Sequence, residues 1–231
     1  MRPDLSRAGR IILLDLEMIV SYIAAMTQNP SSSTLTRQRG RPREFDVDQA
    51  IDKAIGVFSE RGYHATSVGD LTQAMELTQG SLYKAFKDKK DIYIAAVERY
   101  KLVQTQRFEA AVRSGENGRE KLLAAMNFYA DASAGQSGGR GCLVVGATAD
   151  LASLDEDMGR VVRGAIEARE RILVRLVREG QADGSVTANR DAGALAKTAL
   201  CILYGIRVVG KTAPTREELS AVVDIAMKVF D

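Results

Sequence analysis

Few residues in this 231-residue chain could do catalytic or metal chemistry: it has one histidine (His64), two cysteines (Cys142 and Cys201) and no tryptophan. A structural zinc site needs four Cys or His ligands, so three such residues scattered along the chain cannot build one alone. A Ser-His-Asp arrangement would have to use His64, and no nucleophile-elbow pattern stands near it. Asp155 and Asp157 read as helix caps, not as carboxylates facing each other. The run Gly135–Gly141 contains no Gly-Lys-Ser/Thr of a phosphate-cradling loop. No metal, no cofactor and no enzymatic activity are expected. A single possible disulfide points to a reducing, cytoplasmic location.

What remains is the chemistry of charge and shape. Thirty-two basic and 30 acidic residues give a net charge of +2, which does not announce a nucleic-acid binder, so local placement has to decide. Four arginines fall in the seven residues Arg37-Gln38-Arg39-Gly40-Arg41-Pro42-Arg43. Glycine and proline keep this arm out of a helix and leave its guanidinium groups free. Arg39-Gly40-Arg41-Pro42 resembles an AT-hook, which lies in a narrow A·T minor groove where negative potential is concentrated. Alone, the run would serve equally as a solvated basic tail. A second polar group follows: Gln79, Gly80, Ser81, Tyr83 and Lys84 on one short helix, with Ser67 and Thr78 at helix starts and Lys87, Lys89 and Lys90 beyond.

The elements that must position these residues are helical. Val47, Ala50, Ile51, Ala54, Ile55 and Phe58 recur at three- and four-residue steps and predict a helix that stops at Gly62. Ser67 with Asp70 predicts a capping box for a second helix, and Glu76-Leu77 a tight connection. Thr78 caps a third helix, Gln79 to Phe86, and Asp88 a fourth beginning at Lys89. Beyond it the spacing predicts helices over Lys89–Ser114, Arg119–Ala134, Cys142–Ser153, Glu156–Glu179, Asp191–Lys211 and Arg216–Phe230. Gly135–Gly141 is expected to be a flexible loop, with Gly180 and Ala182–Ser185 ending a helix. No strand pattern of useful length appears, so the fold class is all-α. A short second helix after a tight turn is a helix-turn-helix, narrow enough for the major groove. Free N–H groups at the Ser67 and Thr78 helix starts would suit phosphates.

The run Thr66-Ser67-Val68-Gly69-Asp70-Leu71, followed by Leu77-Thr78-Gln79-Gly80-Ser81-Leu82-Tyr83-Lys84-Ala85-Phe86-Lys87-Asp88-Lys89, resembles the TetR family of bacterial transcription regulators over about residues 45–95. The resemblance implies base-edge contacts near Gln79 and Ser81, groove or phosphate contacts for Tyr83 and Lys84, and a phosphate at Lys89. It places Ser67 and Thr78 on the DNA backbone, and Leu71, Leu82 and Phe86 in the core. The family has glycine at the start of the turn where this chain has Glu76. A non-glycine residue at positive φ there would cost on the order of 1 kcal/mol, and its carboxylate would repel phosphates.

The resemblance also implies a homodimer reading a palindromic double-stranded operator, with an N-terminal three-helix DNA-binding domain and a C-terminal helical bundle for ligand binding and dimerisation. Residues 45–90 are assigned to the first and 91–231 to the second, with 37–44 the basic arm. Residues 1–36 are expected to be an N-terminal extension, disordered or an over-extended translation start. Asp15 and Glu17 interrupt its apolar run and argue against a signal or membrane segment. Leu195, Ala199, Ile202, Leu203, Ile206 and Val209, with Leu219, Val222, Val223, Ala226 and Val229, supply apolar faces for core, dimer or both.

Phe108, Met126, Phe128, Tyr129, Met158 and Tyr204 lie where a pocket for an unknown small effector would be, although such residues are more often plain core than ligand wall. The uncharged stretches around 143–149 and 199–206 predict a mostly apolar pocket. Gly141-Cys142-Leu143 is similar to a run in a TetR subgroup, some of whose members sense electrophiles or oxidants through cysteine. Cys142 is therefore a candidate sensor as well as a candidate buried hydrophobe, while Cys201 reads as core. His64 reads as packing near a helix start. The expected function is a repressor released from its operator by a small molecule. The rivals are a non-specific architectural DNA-binding protein and a protein working through Cys142.

Overall fold

A computed structural model describes residues 45–231. The expectations for residues 1–36 and 37–44, Arg39 and Arg41 among them, concern positions outside the described residues. Among the described residues ten α-helices follow one another: α1 Val47–Ala65, α2 Val68–Met75, α3 Gln79–Ala85, α4 Lys89–Val112, α5 Gly118–Ser133, α6 Gly135–Gly139, α7 Leu143–Ala149, α8 Glu156–Asp183, α9 Ala192–Val209 and α10 Arg216–Ala226. Short 3₁₀ turns, Gly210–Thr212 and Met227–Phe230, extend the last two. The fold is all-α, and no strand occurs among the described residues.

Caps define most of these boundaries. Asp46, Thr78, Asp88, Asn117, Asp155 and Asp191 each accept backbone N–H bonds at a helix start, satisfying donors that would otherwise lack partners. Ser67 with Asp70 and Thr215 with Glu218 form reciprocal capping boxes, as their spacing predicts. Helix α1 breaks at Gly62, whose φ of 75° only glycine adopts freely, before one last turn to Ala65.

Two large apolar clusters, with a small third around Cys142, Val144, Val145 and Ala165, hold the described residues together. One, under the first three helices, joins Phe58, Leu71, Leu82 and Phe86 to Ile92 and Tyr93 of α4, and extends to Leu143 of α7 and Met158 and Val162 of α8. The other fills the C-terminal bundle with Phe108, Met126, Leu173, Leu176, Leu203, Val223 and Phe230. Helix α4 crosses the expected boundary at 90–91 without a break and feeds both clusters.

Three details depart from the sequence expectations. Helix α8 continues through Gly180 to Asp183 and ends at Gly184, in the left-handed conformation at φ 78°. The helices cross closely there: a Cβ added to Gly118 of α5 would fall 2.1 Å from the Gly180 amide nitrogen, and one added to Gly180 would fall 2.5 Å from Val186 Cγ2. The expected loop 135–141 contains the short helix α6. Cys201, expected in the core, is exposed, because α9 turns Leu195, Ala199, Leu200, Leu203 and Ile206 inward and leaves Cys201 on the other side with Thr198, Gly205 and Val208.

Candidate nucleic-acid interface and effector cavity

Helices α2 and α3 form the helix-turn-helix. Glu76 carries the turn in the left-handed region, at φ 56° and ψ 37°, where a glycine would be unstrained. Its carboxylate is held by Lys53 of α1 at 2.8 Å, and that hydrogen-bonded ammonium keeps its pKa low. Leu71, Leu82 and Phe86 are buried and fix the angle of α3 against α1 and α2.

The outer side of α3 carries Gln79, Gly80, Tyr83 and Lys84, all exposed, with Tyr83 47% accessible despite its size. A Cβ at Gly80 would meet nothing within 4 Å, so no internal packing demands glycine there and the space it leaves opens outward. The Ser81 and Thr78 hydroxyls lie 3.0 Å apart, and the Ser81 amide donates to Thr78 Oγ1, so both side chains organise the start of α3. The amide and hydroxyl of Ser67 both donate to Asp70, at 2.9 and 2.7 Å. Those bonds, with Arg61 at 2.5 Å, hold the Asp70 pKa at about 2.

Not every lysine of the expected patch faces outward. Lys89 donates to the carbonyls of Tyr63 (3.0 Å) and Thr66 (2.9 Å) and sits 4.3 Å from the Tyr63 ring centroid, so its charge closes the C-terminal end of α1. Lys90 bridges Asp155 and Asp157, each at 2.7 Å, pinning the start of α4 to the start of α8. Lys84 and Lys87 are the exposed cations beside the α3 surface. His64 is exposed, bonds Ser153 Oγ at 3.1 Å and meets the Tyr63 ring edge-on.

A cavity of about 450 Å³ lies between α1 and the bundle. Asp52, Ile55, Gly56, Ser59 and Glu60 of α1 form one wall, and the opposite wall includes Tyr100, Phe128, Tyr129, Cys142 and Tyr204. Of the effector-site candidates it therefore brings Phe128, Tyr129, Cys142 and Tyr204 together. Phe108 and Met126 are fully buried behind it, and Met158 lies in the cluster under the helix-turn-helix. The Cys142 sulfur accepts a bond from the Tyr100 hydroxyl at 3.2 Å, and burial raises the Tyr100 pKa well above its usual value, so that hydroxyl keeps its proton.

Beside its apolar lining the cavity carries two arginines that the sequence did not point to, Arg169 and Arg207, each only 7% exposed. Of the uncharged residues of 143–149, Leu143 and Ala147 pack in the cluster under the helix-turn-helix, Val144 lines the cavity, and Thr148 and Ala149 are exposed. Sequence reasoning missed Arg169 because it sits in the charged run Glu167-Ala168-Arg169-Glu170-Arg171, which looks solvated. Its register was the usable signal: Met158, Val162, Ala165, Arg169, Leu173 and Leu176 form one inward stripe.

Comparison with known proteins agrees with this architecture. The family model for bacterial regulatory proteins of the tetR family matches residues 50–96, and the model for a tetracyclin repressor-like C-terminal domain matches residues 118–225. The transcriptional repressor ComR of Escherichia coli is 26% identical over 203 residues, 87% of this chain and 96% of ComR. The transcriptional regulator AcuR of Cereibacter sphaeroides is 28% identical over 178 residues, covering 74% of this chain and 81% of AcuR. Among solved structures, a cysteine mutant of the regulator CifR in complex with 26-bp double-stranded operator DNA superposes with a TM-score of 0.69. It is 32% identical, over 83% of this chain and 100% of the CifR chain.

Proposed function

The chain belongs to the TetR family of bacterial transcriptional regulators, DNA-binding proteins and not enzymes, and from that premise we propose that it is a homodimeric repressor, acting in the cytoplasm and released from a palindromic operator by a small molecule. The observation that carries the reading is the outward face of α3, where Gln79, Tyr83 and Lys84 stand exposed around a glycine with no internal reason to be one. Polar side chains on a short helix read base edges in the major groove, while Thr78 and Lys84 reach phosphates. Arg39 and Arg41 would add minor-groove contacts beside the site. Lys89 then acts by positioning, holding the end of α1 behind the recognition unit.

Dimerisation would use α9 and α10, which leave Val208, Val209, Val222 and Ile225 uncovered, Ile225 as much as 67% exposed. A twofold axis through that face gives two recognition helices, so a weak half-site is read twice. Release would run through the cavity. Since α1 supplies one wall, an occupant touches the DNA-binding unit directly and can favour a spacing of recognition helices that no longer fits the operator. A roughly 100-fold loss of affinity requires a preference of about 2.7 kcal/mol for that arrangement.

A second reading, favoured by the position of Cys142 on the cavity wall under the Tyr100 hydroxyl, is sensing of electrophiles or oxidants by its thiol. Unchanged induction in Cys142→Ser would remove it. The repressor reading is tested by deleting the gene in its host and measuring transcripts next to the bound sites. They should rise; a fall would make the protein an activator.

A further inference from the structure

The cavity carries positive charge that the protein does not itself neutralise. Among the described residues, the Arg169 guanidinium makes a long hydrogen bond of 3.5 Å from Nη2 to the Gln104 carbonyl and lies beside the neutral Tyr129 hydroxyl, and its buried Nη1 has no partner. Arg207, equally buried, donates to the carbonyls of Ala132 and Gly141 and to Ser133 Oγ, which are dipoles and not charges. The acids on the wall do not compensate. Asp52 is held by Arg99 at 2.6 Å, Asp131 by Arg216 at 2.5 Å, and Glu60 is exposed to solvent. A guanidinium taken out of water without a counter-charge is costly, and removing that cost is what an anion in the cavity would do.

The surroundings of Arg169 suit recognition. Its Cζ lies 3.8 Å from the centroid of the Phe108 ring, a cation–π contact that offsets part of the burial cost. That contact holds the guanidinium in place, and its N–H groups are chemically matched to a planar, two-oxygen acceptor. Tyr100, Phe128, Tyr129 and Tyr204 give the remaining wall an aromatic character suited to an organic body. Burial pushes the pKa of Tyr129 and Tyr204 upward, so their hydroxyls stay protonated and able to donate.

We propose that the cavity binds a small organic carboxylate and that Arg169 is the group that recognises it. This rests on the reading of the cavity as the effector site. The test uses the full chain with sodium propionate, hexanoate and benzoate, the three matching primary amides, and inorganic phosphate, all at constant ionic strength. Thermal melting reports binding, and fluorescence anisotropy of a labelled operator reports release. At least one carboxylate should raise the melting temperature saturably where its amide and phosphate do not. Arg169→Met should weaken that binding roughly 10- to 100-fold and Arg169→Lys by less. Because Arg169→Met removes an unpaired buried charge, its ligand-free melting point should match or exceed that of the wild type, which separates lost binding from lost folding.

Equal responses to amide and carboxylate, a response to phosphate alone, no response to any probe, or full binding in Arg169→Met would each overturn the proposal. Carboxylate binding that depends on Arg169 but leaves the operator occupied would support the anion site and overturn the release mechanism. Operator release by neutral compounds alone would do the reverse.

Discussion

Lys53 of α1 holds Glu76 at 2.8 Å across the helix-turn-helix, so the residue that bears the left-handed turn is also an ion-pair partner of the first helix. The carboxylate that would repel DNA phosphates is thereby partly offset, while the backbone strain at φ 56° remains. Glu76→Gly is expected to relieve about 1 kcal/mol of that strain and raise the melting temperature by about 2–4 °C. It should also tighten operator binding at low salt. A lower melting temperature would mean that the Lys53 contact outweighs the strain.

Tyr83 and Lys84 separate DNA contact from stability. Both are exposed on α3, so replacing either by alanine should change stability by no more than about 0.5 kcal/mol. Tyr83→Ala should weaken operator binding by roughly 1–3 kcal/mol, and Lys84→Ala should reduce the slope of log affinity against log salt by about one per protomer, about two for the dimer. Anisotropy titrations at several salt concentrations, beside chemical denaturation, check both. Unchanged binding in Tyr83→Ala would remove α3 from the interface.

Much of this was legible before any coordinates. The capping pairs Ser67–Asp70 and Thr215–Glu218, the break at Gly62 and the polar face of α3 are local features, set by residues three or four apart, and the structure repeats them. What was not legible depends on partners distant in sequence. Gly180 looks like a helix end until Gly118 is placed against it. Lys89 and Lys90 look like a phosphate patch until α1 and α8 supply Tyr63, Thr66, Asp155 and Asp157 as their partners. Cys201 and Arg169 exchange their expected environments because helical register, not residue type, decides which side of α9 or α8 faces inward.

The Ser67–Asp70 capping box gives a pH signature. The pKa of Asp70 is depressed to about 2, chiefly by the Ser67 hydroxyl. Its contribution is therefore complete above the unfolded carboxylate pKa of about 4 and is lost as pH falls from about 4 toward 2. Compared with Asp70→Asn, the wild type should hold a constant stability advantage between pH 7 and 5, shrinking below pH 4. Denaturation midpoints of the two proteins across that range decide it, and an advantage that grows on acidification would contradict the assignment.

Ile225 tests the dimer. It is largely exposed on α10, so Ile225→Arg should leave the folded chain intact while placing a charge in a desolvated interface. Sedimentation should then show a monomer where the wild type is a dimer, with operator affinity lost alongside. A variant that still sediments as a dimer would move the interface elsewhere.

The most direct test of the regulator reading is selection of bound duplexes from a random DNA pool, at low and at physiological salt. A site-specific dimer predicts an enriched palindrome that survives the higher salt. Absence of enrichment, with binding that collapses as salt rises, would contradict it and leave an architectural DNA-binding protein in its place.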